Sequence, residues 1–343
     1  MKITKTDSSK INTVDFNNLE FGKTFSDHMI SCKFANGKWE EAELLPYQAL
    51  QMNPGTHVFH YGQAVFEGMK AYKNKQDQTL LFRPEENLKR LNKSAERLCM
   101  PTIPQEVFMN GLKELLKIDD QWIPRKEMHS LYIRPFMIST SEFIRATPAT
   151  EFTFFIITSP TSQYYTGETN LKIEESYSRS FNGGVGFAKA AGNYGAAFAP
   201  TKKAQDQGFT QVIWTDAIEH KYIEESGTMN IMFLINDTLI TPALSESILA
   251  GITRNSILSI AKSRGIDVEE RKVSIDEVVE AHKNGSLKEV FGVGTAVTVN
   301  PVNSITYKDK KMTFDVSDQN SISSTLKAEL LGIQNGNKED QFG

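Results

Sequence analysis

Apolar positions along this chain follow two rhythms. In the first half, short apolar or alternating runs bounded by turn residues predict strands. Residues 32–43 read as a hairpin turning at Asn36-Gly37. Residues 63–72 and 79–82 read as a strand pair around the polar turn 74–78. Pro84 opens a helix with Leu88, Leu91, Ala95 and Leu98 on one face, which stops before Pro101. A second amphipathic helix is expected over 106–118, and apolar strands over 131–138 and 152–157. The second half alternates strands (211–215, 231–235) with helices. One helix, over 253–263, closes at Gly265. Another opens at the capping box Ser274 to Glu277 and ends near Gly285. A strand over 289–300 is expected to break at Gly292-Val293-Gly294.

These patterns predict an α/β chain of two domains, 1–162 and 175–343, joined by a loop over 163–174. Tyr164 and Tyr165 make that loop too aromatic for a solvated tether, so it is read as lining a cleft. The tail after Leu331 is polar and expected to fray.

Composition narrows the function classes. The chain has 343 residues and a formal net charge of −4, which points away from nucleic acid and anionic membranes. No apolar run is long enough to span a bilayer. The N-terminus carries Asp7, Asp15 and Glu20 without an apolar core, unlike a signal or transit peptide, so cytoplasm is expected. Cys32 and Cys99 form no metal-ligand spacing and are read as two free buried thiols. His57 and His60 lack a third ligand; Pro54-Gly55 and Gly62 argue against a helix there, so both are read as structural. No metal is expected.

The residues 183–195, Gly-Gly-Val-Gly-Phe-Ala-Lys-Ala-Ala-Gly-Asn-Tyr-Gly, hold Lys189 among small neighbours. A lysine desolvated in such surroundings becomes an amine nucleophile. The bland alternative is an exposed lysine in a glycine-rich loop. A P-loop is rejected because Ala190, not Ser or Thr, follows the lysine. A dinucleotide fingerprint at Gly292 fails because Val297 holds the third glycine position. Other residues favour a Schiff-base cofactor: Tyr194 for a phenolate oxygen, Glu225 for a pyridinium proton, Arg83 for phosphate, and a helix start at 251–255 as an anion site.

Taken in order, these segments resemble the branched-chain amino-acid aminotransferases of the class IV pyridoxal-phosphate (PLP) enzymes. The match is carried by Phe21-Gly22 with Asp27-His28-Met29, Phe66-Glu67-Gly68-Met69-Lys70-Ala71-Tyr72, Leu81-Phe82-Arg83-Pro84 and Leu131-Tyr132-Ile133-Arg134-Pro135. It continues through 183–195, 225–230, 251–258, 289–296 and Tyr307-Lys308-Asp309, and so covers about residues 20–333. A redox CxxC found in some relatives is replaced here by Val297 and Asn300.

The resemblance implies a fold-type IV enzyme with a smaller N-terminal domain, a larger C-terminal one and PLP in the cleft. It implies that Lys189 forms the Schiff base and shuttles the substrate proton, that Glu225 pairs with the pyridine nitrogen, and that Tyr194 bonds the 3′-oxygen. Arg83, Ile252, Thr253 and Thr295 match the phosphate cradle. Thr228, Thr295 and Ala296 match the groups near the substrate α-carboxylate. Phe21, Tyr61, Phe66, Tyr132, Tyr164 and Ala296 match the apolar box for a branched side chain, and Arg134 with Tyr61 the site for the distal carboxylate of glutamate. Ile144 matches a residue reaching into a partner subunit's site, and a homodimer is implied. The expected reaction is ping-pong transamination of leucine, isoleucine and valine with 2-oxoglutarate. Alternatives are a D-amino-acid aminotransferase, an aminodeoxychorismate lyase, or a PLP-binding protein without catalysis.

Overall fold

The computed structural model describes residues 1–162 and 167–342. The chain divides into two compact units. The first is Met1–Tyr164 with Ala188–Gly192 and Gln334–Gly343; the second is Tyr165–Phe187 with Asn193–Ile333. Two short pieces expected in the C-terminal domain thus belong to the first unit. That makes the first unit the longer of the two, where the smaller was expected.

The first unit is built on a nine-stranded sheet. Its strands are β1 (Lys2–Ile3), β2 (His28–Ala35), β3 (Lys38–Trp39), β4 (Glu43–Pro46), β5 (Ala64–Phe66), β6 (Met69–Lys73), β7 (Thr79–Leu81), β8 (Ser130–Ser139) and β9 (Phe152–Thr161). The Asn36-Gly37 turn forms as expected, both residues at positive φ, and pairs Phe34 with Trp39. The expected strand over 63–72 breaks at Glu67-Gly68. β5 and β6 both pair with β8, so the break lets one strand segment follow the other along the same partner.

Helices α1 (Val58–Tyr61), α2 (Pro84–Arg97) and α3 (Gln105–Ile118) complete this unit. The one-turn α1 corrects the expectation that the flanking glycines exclude a helix. Gly62 ends it in the left-handed region, the conformation glycine tolerates best. His57 is structural, bonded to Ser139 Oγ (3.0 Å) and the Thr147 carbonyl (2.8 Å). Leu91, Leu112 and Leu115 from the helices join Ile30, Phe154 and Ile156 in one core.

Cys32 lies in that core, and burial with the nearby Glu40 charge pushes its thiol up to about 11. Cys99, expected to be buried, is exposed: it follows the end of α2 at positive φ. The tail is also more ordered than expected, with Phe342 packing edge-on against Phe82 at 5.5 Å.

The second unit carries two sheets. Its strands are β10 (Asn170–Ile173), β11 (Gln211–Thr215), β12 (Tyr222–Ser226), β13 (Asn230–Ile235), β14 (Thr238–Pro242), β15 (Val268–Arg271), β16 (Val273–Ser274), β17 (Leu287–Gly294), β18 (Thr298–Pro301), β19 (Ser304–Tyr307) and β20 (Lys310–Thr313). One sheet runs β16-β12-β11-β10-β19-β20 and the other β15-β14-β13-β17-β18. β10, expected within the connecting loop, pairs in parallel with both β11 and β19. The break expected at Gly292-Val293-Gly294 falls instead at 295–297, and Gly294 pairs with Thr298 across that turn.

The unit's helices are α4 (Ala191–Gln205), α5 (Ile252–Ser263), α6 (Ile275–Lys283) and α7 (Ile322–Gln334). Ser274 caps α6 by accepting the Glu277 N–H at 3.1 Å. Among the described residues no helix is long and apolar enough to cross a membrane.

Candidate active site

In the first unit, Lys189 sits in the loop just before α4, between the buried Ala188 and Ala190. Its backbone is committed on both sides. Phe66 N–H donates to the Lys189 carbonyl (3.1 Å), and the Lys189 N–H donates to Ser94 Oγ (2.9 Å). The Ser94 hydroxyl in turn donates to the Arg90 carbonyl within α2 (2.9 Å). A strand end and a helix therefore fix the lysine's Cα, while its Nζ lies 4.8 Å from the Phe66 ring centroid.

Beside Phe66, the side chain of Glu67 is fully buried. Arg90 grips it through Nε (2.6 Å) and Nη2 (2.8 Å), and Asn87 donates a third bond (2.7 Å). Burial by itself would raise the Glu67 carboxyl. Arg90, the charge on Lys189 and the Asn87 bond outweigh it and hold the group below its usual range.

Strand alternation puts Tyr132 and Arg134 on the same face of β8. Arg134 Nη2 donates to the Tyr132 hydroxyl (3.0 Å), and its guanidinium lies 4.6 Å from the Phe66 centroid. Phe21 meets Tyr132 edge-on at 4.8 Å. Gly68 makes room for this tyrosine, since a Cβ there would lie 2.1 Å from its hydroxyl. Arg134 Nε is buried without a hydrogen-bond partner among the described residues. Phe21, Phe66, Tyr132, Arg134 and Lys189 are thus brought together.

Other expected residues of this unit lie elsewhere. The tyrosine hydroxyl beside Arg134 is that of Tyr132, where the resemblance implies Tyr61. Tyr61 instead donates to the Ile144 carbonyl, and both residues are exposed. Arg83 precedes Pro84 in the left-handed region (φ 53°), and its guanidinium lies 4.8 Å from the Phe342 ring centroid. Tyr164 falls outside the described residues.

In the second unit, Glu225 is buried on β12 opposite Trp214. Its Oε1 accepts Asn230 Nδ2 (3.0 Å) and the Leu249 N–H (3.1 Å). Asn230 Nδ2 also reaches the Leu249 carbonyl (3.0 Å). The same Asn230 crowds Gly251, where a Cβ would meet its Oδ1 at 2.1 Å. Gly251 is the N-cap of α5 and provides no side-chain cap, so the first-turn N–H groups at Ile252 and Thr253 form an anion-attracting helix start. One hydrogen-bonded cluster therefore ties the Glu225 carboxylate to that helix start.

Thr295 and Ala296 form the turn between β17 and β18, and Thr228 the exposed tip between β12 and β13. Tyr194 is half-buried in the first turn of α4. The sequence pattern assigns no role to Ser94, Glu67, Arg90 or Asn230. Glu67 offers a signal, a carboxylate between the apolar Phe66 and Gly68-Met69. Asn230 lies within a matched segment.

The two units thus carry an amine, a buried carboxylate and a helix N-terminus, each held by its own surroundings. A family model described as amino-transferase class IV matches residues 64–305. The chain belongs to that family.

Within it, the chain groups with the branched-chain amino-acid aminotransferases. It is 45% identical over 340 residues to branched-chain-amino-acid aminotransferase 2 of Bacillus subtilis (strain 168), covering 98% of this chain and 94% of that one. Two solved structures share its fold. One is a branched-chain amino acid aminotransferase from Thermobaculum terrenum in its PLP-form, with TM-score 0.74, 21% identity, and 91% of this chain and 95% of that chain covered. The other is the branched-chain amino acid aminotransferase from Escherichia coli, with TM-score 0.74, 24% identity, and 92% and 97% covered.

Class IV aminotransferases use pyridoxal phosphate. The donor set of this family member fits that group. Glu225 is kept for a cationic partner by donors on Oε1, the α5 start is left uncapped for an anion, and Lys189 is an amine between buried alanines.

Proposed function

We propose that this branched-chain amino-acid transaminase moves the amino group of leucine, isoleucine or valine to 2-oxoglutarate in two reversible half-reactions. When bound, pyridoxal phosphate supplies the aldehyde that takes up the amino group and a ring that delocalises the electron pair left at the substrate Cα. Lys189 Nζ would hold the cofactor and, once displaced by substrate, move the proton from the substrate Cα to the cofactor C4′, the carbon on the far side of the amino nitrogen. The Glu225 carboxylate holds the proton on the pyridine nitrogen, and the Tyr194 hydroxyl bonds the 3′-oxygen. Arg83, Thr295 and the N–H groups of Ile252 and Thr253 hold the phosphate. Thr228 and the Thr295-Ala296 turn orient the substrate α-carboxylate.

The observation that supports this substrate range is the unpartnered buried Nε of Arg134 beside three aromatic rings. Ring faces of Phe21, Phe66 and Tyr132 suit methyl groups, and the positive charge of Arg134 suits the distal carboxylate of the second substrate. Tyr61, Ile144 and Tyr164 complete the pocket in a homodimer, in which Ile144 serves the partner's site. Ile144 is 69% exposed and Phe59 60%, in keeping with surface that a second copy covers. The two free cysteines suit a reducing compartment, the cytoplasm.

Single-turnover absorbance of the cofactor tests the reading. L-leucine and L-glutamate should each convert it, and D-alanine should do so far more slowly. Faster conversion by D-alanine overturns the assignment.

A further inference from the structure

Glu225 has a buried cationic neighbour that the catalytic scheme leaves unused. Arg179 lies between β10 and the glycine run, with its side chain only 10% exposed. Its Nε stands 2.5 Å from Glu225 Oε2, as an ion pair rather than a directed hydrogen bond. Its Nη2 donates to the Gly186 carbonyl (2.9 Å) and to the Ser247 carbonyl. Gly186 belongs to the glycine run, and a Cβ there would lie 2.5 Å from the Ser247 carbonyl oxygen, so the backbones meet where the guanidinium binds both. Ser247 also donates its hydroxyl to Glu224. Burial pushes the Glu224 carboxyl up, with the Ser247 bond and the Arg179 charge opposing. One guanidinium thus joins the glycine run, the Glu224-Glu225 strand and the loop leading to α5.

A buried carboxylate without a counter-charge tends to take up a proton. Two N–H donors at Oε1 and a guanidinium at Oε2 both favour its ionised form. When a pyridine nitrogen and a carboxylate share one proton, stabilising the carboxylate anion leaves the proton on nitrogen.

We propose that Arg179 is a positioning residue for Glu225, fixing its orientation and supplying the buried positive charge that leaves the shared proton on the cofactor's pyridine nitrogen. The proposal rests on the reading of Glu225 as the pyridine partner. Its test must separate charge from a purely structural latch. Arg179→Lys keeps the charge and loses the fork onto the two carbonyls, whereas Arg179→Gln keeps a donor and loses the charge.

The experiment reconstitutes wild type, Arg179→Gln, Arg179→Lys and Glu225→Gln with pyridoxal phosphate carrying ¹⁵N in the ring, and reads the ring-nitrogen chemical shift. Melting of each cofactor-free protein is followed in parallel. Wild type and Arg179→Lys should show the protonated-nitrogen position, and Arg179→Gln should move toward the neutral position while remaining folded. A folded Arg179→Gln with the wild-type shift, when Glu225→Gln does move it, overturns the proposal and leaves the Glu225 reading standing. A Glu225→Gln protein with the wild-type shift overturns both. If Arg179→Gln does not fold, Arg179→Lys decides: the protonated position supports the proposal and the neutral position overturns it.

Discussion

Arg134 presents a buried Nε without a partner among the described residues and leans on the faces of Phe66 and Tyr132. Replacing it should therefore act on the charged substrate more than on the aliphatic one. Hydrogen bonds to charged groups contribute about 1.5–3 kcal/mol, so Arg134→Gln should raise KM for 2-oxoglutarate about 10- to 100-fold. The KM for leucine should change much less, and steady-state kinetics with each substrate varied in turn checks the split.

Asp27 gives a residue-scale test of stability. Its carboxylate accepts the Ser9 hydroxyl (2.5 Å), the Lys10 N–H (2.9 Å) and the Trp122 indole N–H (2.9 Å). Burial alone would raise this carboxyl, but the three bonds outweigh it and lower the group below its usual range. A depressed folded-state pKa adds stability above the unfolded pKa, and that stability is lost as pH falls through the folded value. Asp27→Asn should cost about 1–3 kcal/mol at neutral pH. The difference from wild type should shrink as pH drops below about 4, read by denaturant melts across pH.

Among the elements, the clearest departure from the sequence pattern is the break between β5 and β6. Hydrophobicity over 63–72 reads as one strand, and the pattern does not reveal that Glu67 turns inward to a guanidinium on α2. Such tertiary pairing leaves no periodic trace, because Arg90 lies 23 residues away on the helix. Helix α4 escapes the pattern for a different reason: its apolar and polar residues are not segregated at helical spacing, so no amphipathic face marks it. The hairpin at Asn36-Gly37 and the Ser274 cap are legible because their chemistry is local.

The Glu67–Arg90 pair should matter to the packing of α2 on the β5-β6 corner. Glu67→Gln removes the negative charge that faces the mostly buried Arg90 guanidinium and should cost about 3 kcal/mol or more. Combining it with Arg90→Met should restore part of that loss. A loss in the double variant equal to the sum of the Glu67→Gln and Arg90→Met single losses, measured by chemical denaturation, would show the pair to be uncoupled.

At the scale of the whole chain, fold class and reaction are legible because separated segments keep their order and their residue types. The allocation of short pieces is not. Sequence order places Ala188–Gly192 beside the glycine run, yet contacts assign it to the first unit through Phe66 and Ser94. The tail is another such case, held by Phe342 against Phe82. Both depend on partners far away in sequence, beyond the reach of a local pattern.

The proposed function rests, before anything else, on Lys189 as the amine that carries the cofactor. Borohydride reduction of the PLP-loaded protein, followed by proteolysis and peptide mass spectrometry, fixes that linkage where it forms. The phosphopyridoxyl group should appear on Lys189 and be absent after prior conversion of the cofactor with L-leucine. Labelling of a different lysine, with Lys189 unmodified, would contradict that role.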